Sequence, residues 1–109
     1  MNNKDFSKLV NETIETCKEI MIDKGGEYAH GNDRLDNFKR NATTLNLNPE
    51  EVWAVYFHKH VDAIDTYIQD IRAGVSRPRS ESILGRFDDA INYLLLGKAI
   101  VVERSKSKT

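Results

Sequence analysis

The sequence predicts an all-α protein, an antiparallel helical bundle of about four helices, and three observations carry that expectation. Apolar residues recur at steps of three and four in four separate segments, the period of an amphipathic helix. No stretch longer than a few residues alternates as a strand does. The periodic segments are punctuated by Gly, Asn, Pro and Ser in positions that start or stop helices. At 109 residues the chain fits one domain, and a domain of this size buries roughly two-thirds of the surface that its unfolded chain exposes. The helical domain is expected over residues 1–103, with residues 104–109 as a polar, flexible tail.

In the first segment Phe6, Leu9, Val10, Ile14, Cys17, Ile20 and Met21 form the apolar stripe of a helix from about Lys4 to about Lys24. Gly25 is suited to end it in the left-handed conformation, and Gly26 opposes renucleation. Leu35, Phe38, Ala42 and Leu45 then predict a second helix of about ten residues, with Asp33 as its N-cap. Asn48-Pro49-Glu50-Glu51 is a strong start signal: a capping Asn, Pro at the first helical position and Glu three residues after the cap. The third helix follows with Trp53, Tyr56, Phe57, His60, Ile64, Tyr67, Ile68 and Ile71 on one stripe, and Gly74 closes it. After the basic loop Arg72–Ser80, either Ser80 or Ser82 caps a fourth helix. Its inward residues are expected to be Ile83, Phe87, Ala90, Ile91, Leu94, Leu95, Ala99 and Val102. This helix is apolar around much of its girth from Tyr93 to Ile100, which leaves surface for a second copy of the chain. A homo-oligomer is expected.

Charge and cysteine usage narrow the function classes. With 16 Lys plus Arg against 17 Asp plus Glu the formal net charge is -1, which supplies no bulk attraction to nucleic acid or to an anionic membrane. Any anion recognition is therefore local. The single Cys17 excludes an internal disulfide framework and a cysteine-rich zinc site. No apolar run approaches the length of a membrane span, so a cytoplasmic setting is expected.

The chemistry is concentrated in three places. Residues 24–39 hold three glycines, Tyr28, His30 and charges of both signs, the composition of a ligand-gripping loop. Lys24, Arg34, Lys39 and Lys59 can neutralise phosphates, with Arg77 and Arg79 as a lid from the basic loop. Tyr28, His30 or Phe38 can stack on a base, an interaction worth about 1–3 kcal/mol. Glu27, Asp33 and Asp36 balance these cations, which suits a defined polar ligand better than a nucleic-acid backbone. In the third helix His58, Lys59 and His60 point in three directions. His58 shares a face with Asp62 and Asp65, while an exposed salt-linked face explains the same spacing. His60 lies in the apolar stripe, where a buried, singly bonded imidazole is the plain reading. In the fourth helix Asp88, Asp89, Asn92 and Tyr93 place carboxylate and amide one turn apart, a pairing suited to a base edge or a ribose and equally to a buried bonded network.

The succession Lys24-x-x-Glu27-Tyr28, Asp33-Arg34-x-x-x-Phe38, Lys59, Glu81-Ser82 and Arg86-Phe87-Asp88-Asp89-Ala90-Ile91-Asn92-Tyr93-Leu94 resembles the nucleotide modification associated domain family of small phage and bacterial proteins. The likeness covers about residues 20 to 100, and that family is similar in outline to the all-α pyrophosphatases of the MazG and dimeric dUTPase type. The resemblance implies a phage setting and a nucleotide ligand. The pyrophosphatases hold magnesium with Glu-Glu-x-x-Glu on one helix and Glu-x-x-Asp on the next, because a diphosphate-bound metal needs several hard oxygen ligands. Here Glu12, Glu15 and Glu19 lack the doubled glutamate, and Asp62-x-x-Asp65 has the second spacing with a shorter first side chain.

The expected function is therefore binding without turnover: sequestration of a nucleotide or nucleotide-derived cyclic immune signal, with no cofactor. The ligand set is Lys24, Glu27, Tyr28, His30, Arg34, Phe38, Lys59, Arg77, Arg79, Asp89, Asn92 and Tyr93. The alternative is a magnesium-dependent nucleotide pyrophosphatase using Glu15, Glu19, Asp62 and Asp65. A second alternative is a module that binds a host protein through its fourth helix.

Overall fold

The computed structural model describes residues 1–24, 32–79 and 81–107, apart from the side chains of Asp23 and Lys24. Asn2 caps the first helix, its side chain accepting the Asp5 N–H at 2.8 Å, and α1 runs over Asn3–Lys18. The chain stays helical to Lys24, as the apolar period predicts, but Glu19–Lys24 widens into a π-helical turn. Such a turn registers its bonds five residues apart and commonly marks a functional site. Gly25, Gly26 and the loop to Gly31 lie outside the described residues, and so does Ser80.

α2 occupies Asp36–Leu45. Asp33 acts earlier than an N-cap: its Oδ1 accepts the Leu35 N–H at 3.0 Å, turning the chain before the helix begins, and Leu35 itself takes the cap position. Asn46 ends α2 with φ 56°, and the Leu47 N–H returns to the Ala42 carbonyl at 2.9 Å. α3 spans Pro49–Ala73, with the Glu51 side chain accepting the Asn48 N–H at 2.9 Å and Gly74 closing it at φ 68°. Both ends stand where the Asn-Pro and Gly signals predict. Ser82 starts α4, Ile83–Ser107, by accepting the Gly85 N–H at 3.0 Å. The described residues contain no strand, and none of their helices is long and apolar enough to cross a membrane.

α3 and α4 form an antiparallel pair, fixed at one end by Arg104 on Glu50 and nearer the middle by the Trp53 Nε1 donating to the Tyr93 carbonyl at 2.5 Å. α2 packs on α3, and α1 packs on α4. The core is Leu35, Phe38 and Ala42 with Val52 and Ile100, flanked by Trp53, Tyr93 and Leu96. Phe38 is its centre, 2 % exposed, with edge-on contacts to Tyr56 and Tyr93.

Three expectations are corrected. The inward stripe of α4 is Asn92, Tyr93, Leu96 and Ile100, while Phe87, Ile91, Leu94, Leu95 and Val102 are exposed. A helix apolar all round does not declare its buried side, and here packing of the Trp53 ring on Gly97 chooses it. Ile68 and Ile71 on α3 are likewise exposed, while Ile64 and Tyr67 of the same stripe are half-buried. The expected flexible tail from residue 104 is instead helical to Ser107, held where Arg104 pairs with Glu50.

Candidate functional site

Where α3 and α4 cross near the end of α1, the structure gathers polar side chains without pairing them. Asn92 is 5 % exposed, and among the described residues neither its Nδ2 nor its Oδ1 has a hydrogen-bond partner. The Nδ1 of His60, facing from α3, is also buried and unpartnered. The His60 ring lies 4.7 Å from that of Tyr93, which in turn stands 6.4 Å from Tyr56. Buried polar groups are nearly always bonded, so these three orphaned atoms on two packed helices are a departure that requires an account.

Electrostatics distinguish the same spot. Burial pushes the Asp89 carboxyl up from the usual carboxylate range, with Glu81 and Asp88 adding to the shift and His60 and Arg86 opposing it. Burial also raises Tyr93, helped by Tyr56 and Asp89. Cys17 reaches the site from α1, its thiol 3.9 Å from the Asp88 carbonyl. Burial and the two aspartates push that thiol up, which keeps it protonated and unreactive at neutral pH. Arg86, one turn before Asp89 and Ala90, is held by Glu81 at 3.5 Å.

Of the ligand set expected from sequence, the fold brings together Asp89, Asn92 and Tyr93. Their signal was polar residues inside an apolar helix. Phe38 is instead the centre of the core, where its faces are used by protein. Arg34 donates to the Met21 carbonyl in the π-helical turn, satisfying one of the acceptors that a helix end leaves open. Arg77 and Arg79 clasp the two oxygens of Asp70 at 2.7 and 2.8 Å, and Arg79 also lies 5.1 Å over the Tyr67 ring. They fasten the basic loop to the end of α3. Lys39 is shared by Asp33, at 2.7 Å, and Glu103. Lys59 is exposed with no ion pair among the described residues. Glu27, Tyr28, His30 and the Lys24 side chain lie outside those residues.

The alternative carboxylate set is not assembled. Glu15 and Glu19 are exposed on α1, with Glu15 beside Lys18, and Asp62 and Asp65 are exposed on α3. Among the described residues no three His, Cys, Asp or Glu side chains converge as metal ligands. Sequence reasoning set His60 down as a bonded core residue and missed Asp70 and Gly97. An imidazole at an apolar position beside a helix that carries Asp-Asp-x-x-Asn was the available signal for the first. Nothing in the local pattern marks the other two.

No protein family, curated protein or solved structure matches this chain. The functional reading therefore rests on the residues.

Proposed function

We propose that this protein binds a small nucleotide-like molecule by its base and holds it without turning it over. The observation that carries the reading is the buried Asn92 amide, both of whose polar atoms are without a partner among the described residues. A side-chain amide sets a donor beside an acceptor, the pattern that a base edge complements. Leaving such a group unsatisfied costs about 1–3 kcal/mol. A ligand that supplies both partners removes that cost.

The surroundings support the same ligand class. Tyr93 and His60 supply flat apolar surface, the His60 Nδ1 a further polar atom, and Asp89 a half-buried carboxyl able to accept from a ligand's N–H groups. Arg86 and Lys59, the latter without an ion pair among the described residues, are cations on the two helices that carry these groups. The resemblance to nucleotide-associated phage proteins narrows the proposal to a nucleotide or a nucleotide-derived cyclic immune signal, sequestered in the cytoplasm. Binding without turnover is favoured by the missing doubled glutamate and by the exposure of Glu15, Glu19, Asp62 and Asp65.

The test incubates the pure protein and magnesium with a panel of linear and cyclic nucleotides, then analyses the solution and the fraction released from the protein by heat. An unchanged compound recovered from the protein is the expected result. New monophosphate and pyrophosphate in solution would move the reading to the pyrophosphatase, and an empty protein across the panel would sink the nucleotide reading.

A further inference from the structure

The chain exposes 8343 Å² at a mass of 12.5 kDa. A folded monomer of that mass exposes about 6,200 Å², so the excess is on the order of 2,000 Å². The radius of gyration, 16.5 Å, also exceeds the roughly 13 Å of a compact domain of this length. α1 is the clearest source of the excess. It is strongly amphipathic, yet Cys17 is its one buried residue, and Phe6, Leu9, Val10 and Ile14 are between 37 % and 57 % exposed. Leu9, Val10 and Ile14, with Ile91 and Leu95 of α4, line an almost wholly apolar groove of about 460 Å³.

We infer that this groove is a two-fold interface, filled by α1 of a second copy running antiparallel to the first. A part of that excess, about 800 Å² from each copy, is enough for a specific dimer interface. The charges on α1 select the direction. Its first half carries Lys4, Asp5 and Lys8, a net positive charge, and its second half, with the first residue of the π-helical turn, carries Glu12, Glu15, Lys18 and Glu19, a net negative one. An antiparallel pair sets Lys8 of one copy near Glu15 of the other and Lys4 near Glu19, and it opposes the two helix dipoles. A parallel pair would align like charges. The interface adjoins the candidate site, since Ile91 precedes Asn92 and Cys17 touches Asp88, but it does not depend on the nucleotide reading.

Sedimentation equilibrium of the full chain is expected to return twice 12.5 kDa. Val10→Glu or Ile14→Glu is expected to yield monomer, while Ile71→Glu, on the exposed end of α3, leaves the dimer intact. Because a charge on the apolar stripe can unfold α1, Lys8→Glu and Glu15→Lys provide a second test on side chains already in solvent. Each alone is expected to weaken its own dimer about tenfold, and an equimolar mixture to restore association as a heterodimer. A 12.5 kDa species at all concentrations or a trimer would overturn the inference. So would a dimer indifferent to both charge reversals, or broken by Ile71→Glu.

Discussion

Gly97 of α4 lies against the Trp53 indole so closely that a β-carbon at residue 97 would stand 2.5 Å from Cε2 and 2.6 Å from Cζ2. The contact holds the seam at one register. The indole N–H reaches the Tyr93 carbonyl one turn back, and the ring stacks on Phe57 at 5.0 Å. Gly97→Ala therefore trades a gain in helix propensity of up to about 1 kcal/mol against an overpacked ring. Overpacking wins, with an expected net loss of about 1–2 kcal/mol in urea unfolding. In a Trp53→Leu background the same change is expected to be neutral or stabilising, because the clashing ring is gone.

Asn92→Leu separates function from stability. If the amide is kept for a ligand, the variant loses nucleotide binding by tenfold or more and gains about 1–3 kcal/mol, since a buried unsatisfied group has been removed. Thermal melts with and without nucleotide check both. A variant that binds normally, or melts below the parent, would sink the idea.

Asp89 and Asp33 give opposite pH responses. Asp89 has a raised folded pKa, so the unfolded state releases its proton first as pH rises; the group costs stability fully above its folded pKa and nothing below its unfolded value. Asp89→Asn is expected to raise the melting temperature at neutral pH, with the gain fading as acidity passes through the carboxylate range. Asp33 is held below that range by the Lys39 ammonium and the Leu35 N–H. Its contribution is present above the unfolded pKa and disappears as pH falls through the folded one. Asp33→Asn is expected to lower the melting temperature at neutral pH and to matter least in acid.

Asp70 anchors the loop after α3. Its side chain is almost fully buried, and its removal strands two guanidinium groups, so Asp70→Ala is expected to cost about 3 kcal/mol in urea unfolding. Arg79→Ala is expected to cost more than Arg77→Ala, because Arg79 is the less exposed of the two and also covers Tyr67.

These contacts mark where sequence reasoning reached and where it stopped. Asn48-Pro49 and Gly74 bound α3 because capping is local chemistry, written in the residues that perform it. Asp89, Asn92 and Tyr93 were legible for a related reason: polar groups in an apolar helix require partners wherever the helix lies. A cation carries no such information. Arg34, Arg77 and Arg79 read as phosphate ligands until the fold shows a carbonyl and a carboxylate already using them. The buried side of α4 was hidden by its uniformity, and the loop that held Tyr28 and His30 lies outside the described residues.

The π-helical turn at Glu19–Lys24 has a genetic consequence. A wide turn holds one residue more than α-helical winding needs. Deleting one codon there, such as that for the exposed Ile22, would let ordinary winding run to the end of the segment. Because the wide turn already absorbs the surplus residue, the chain leaving Lys24 would keep nearly its present direction, whereas a deletion within Asn3–Lys18 would turn the two sides of the cut by about 100° relative to each other. The register of α1 against Asp88 would be untouched. One in-frame deletion is thus absorbed at Glu19–Lys24, while the same deletion inside α1 would break its register against α4.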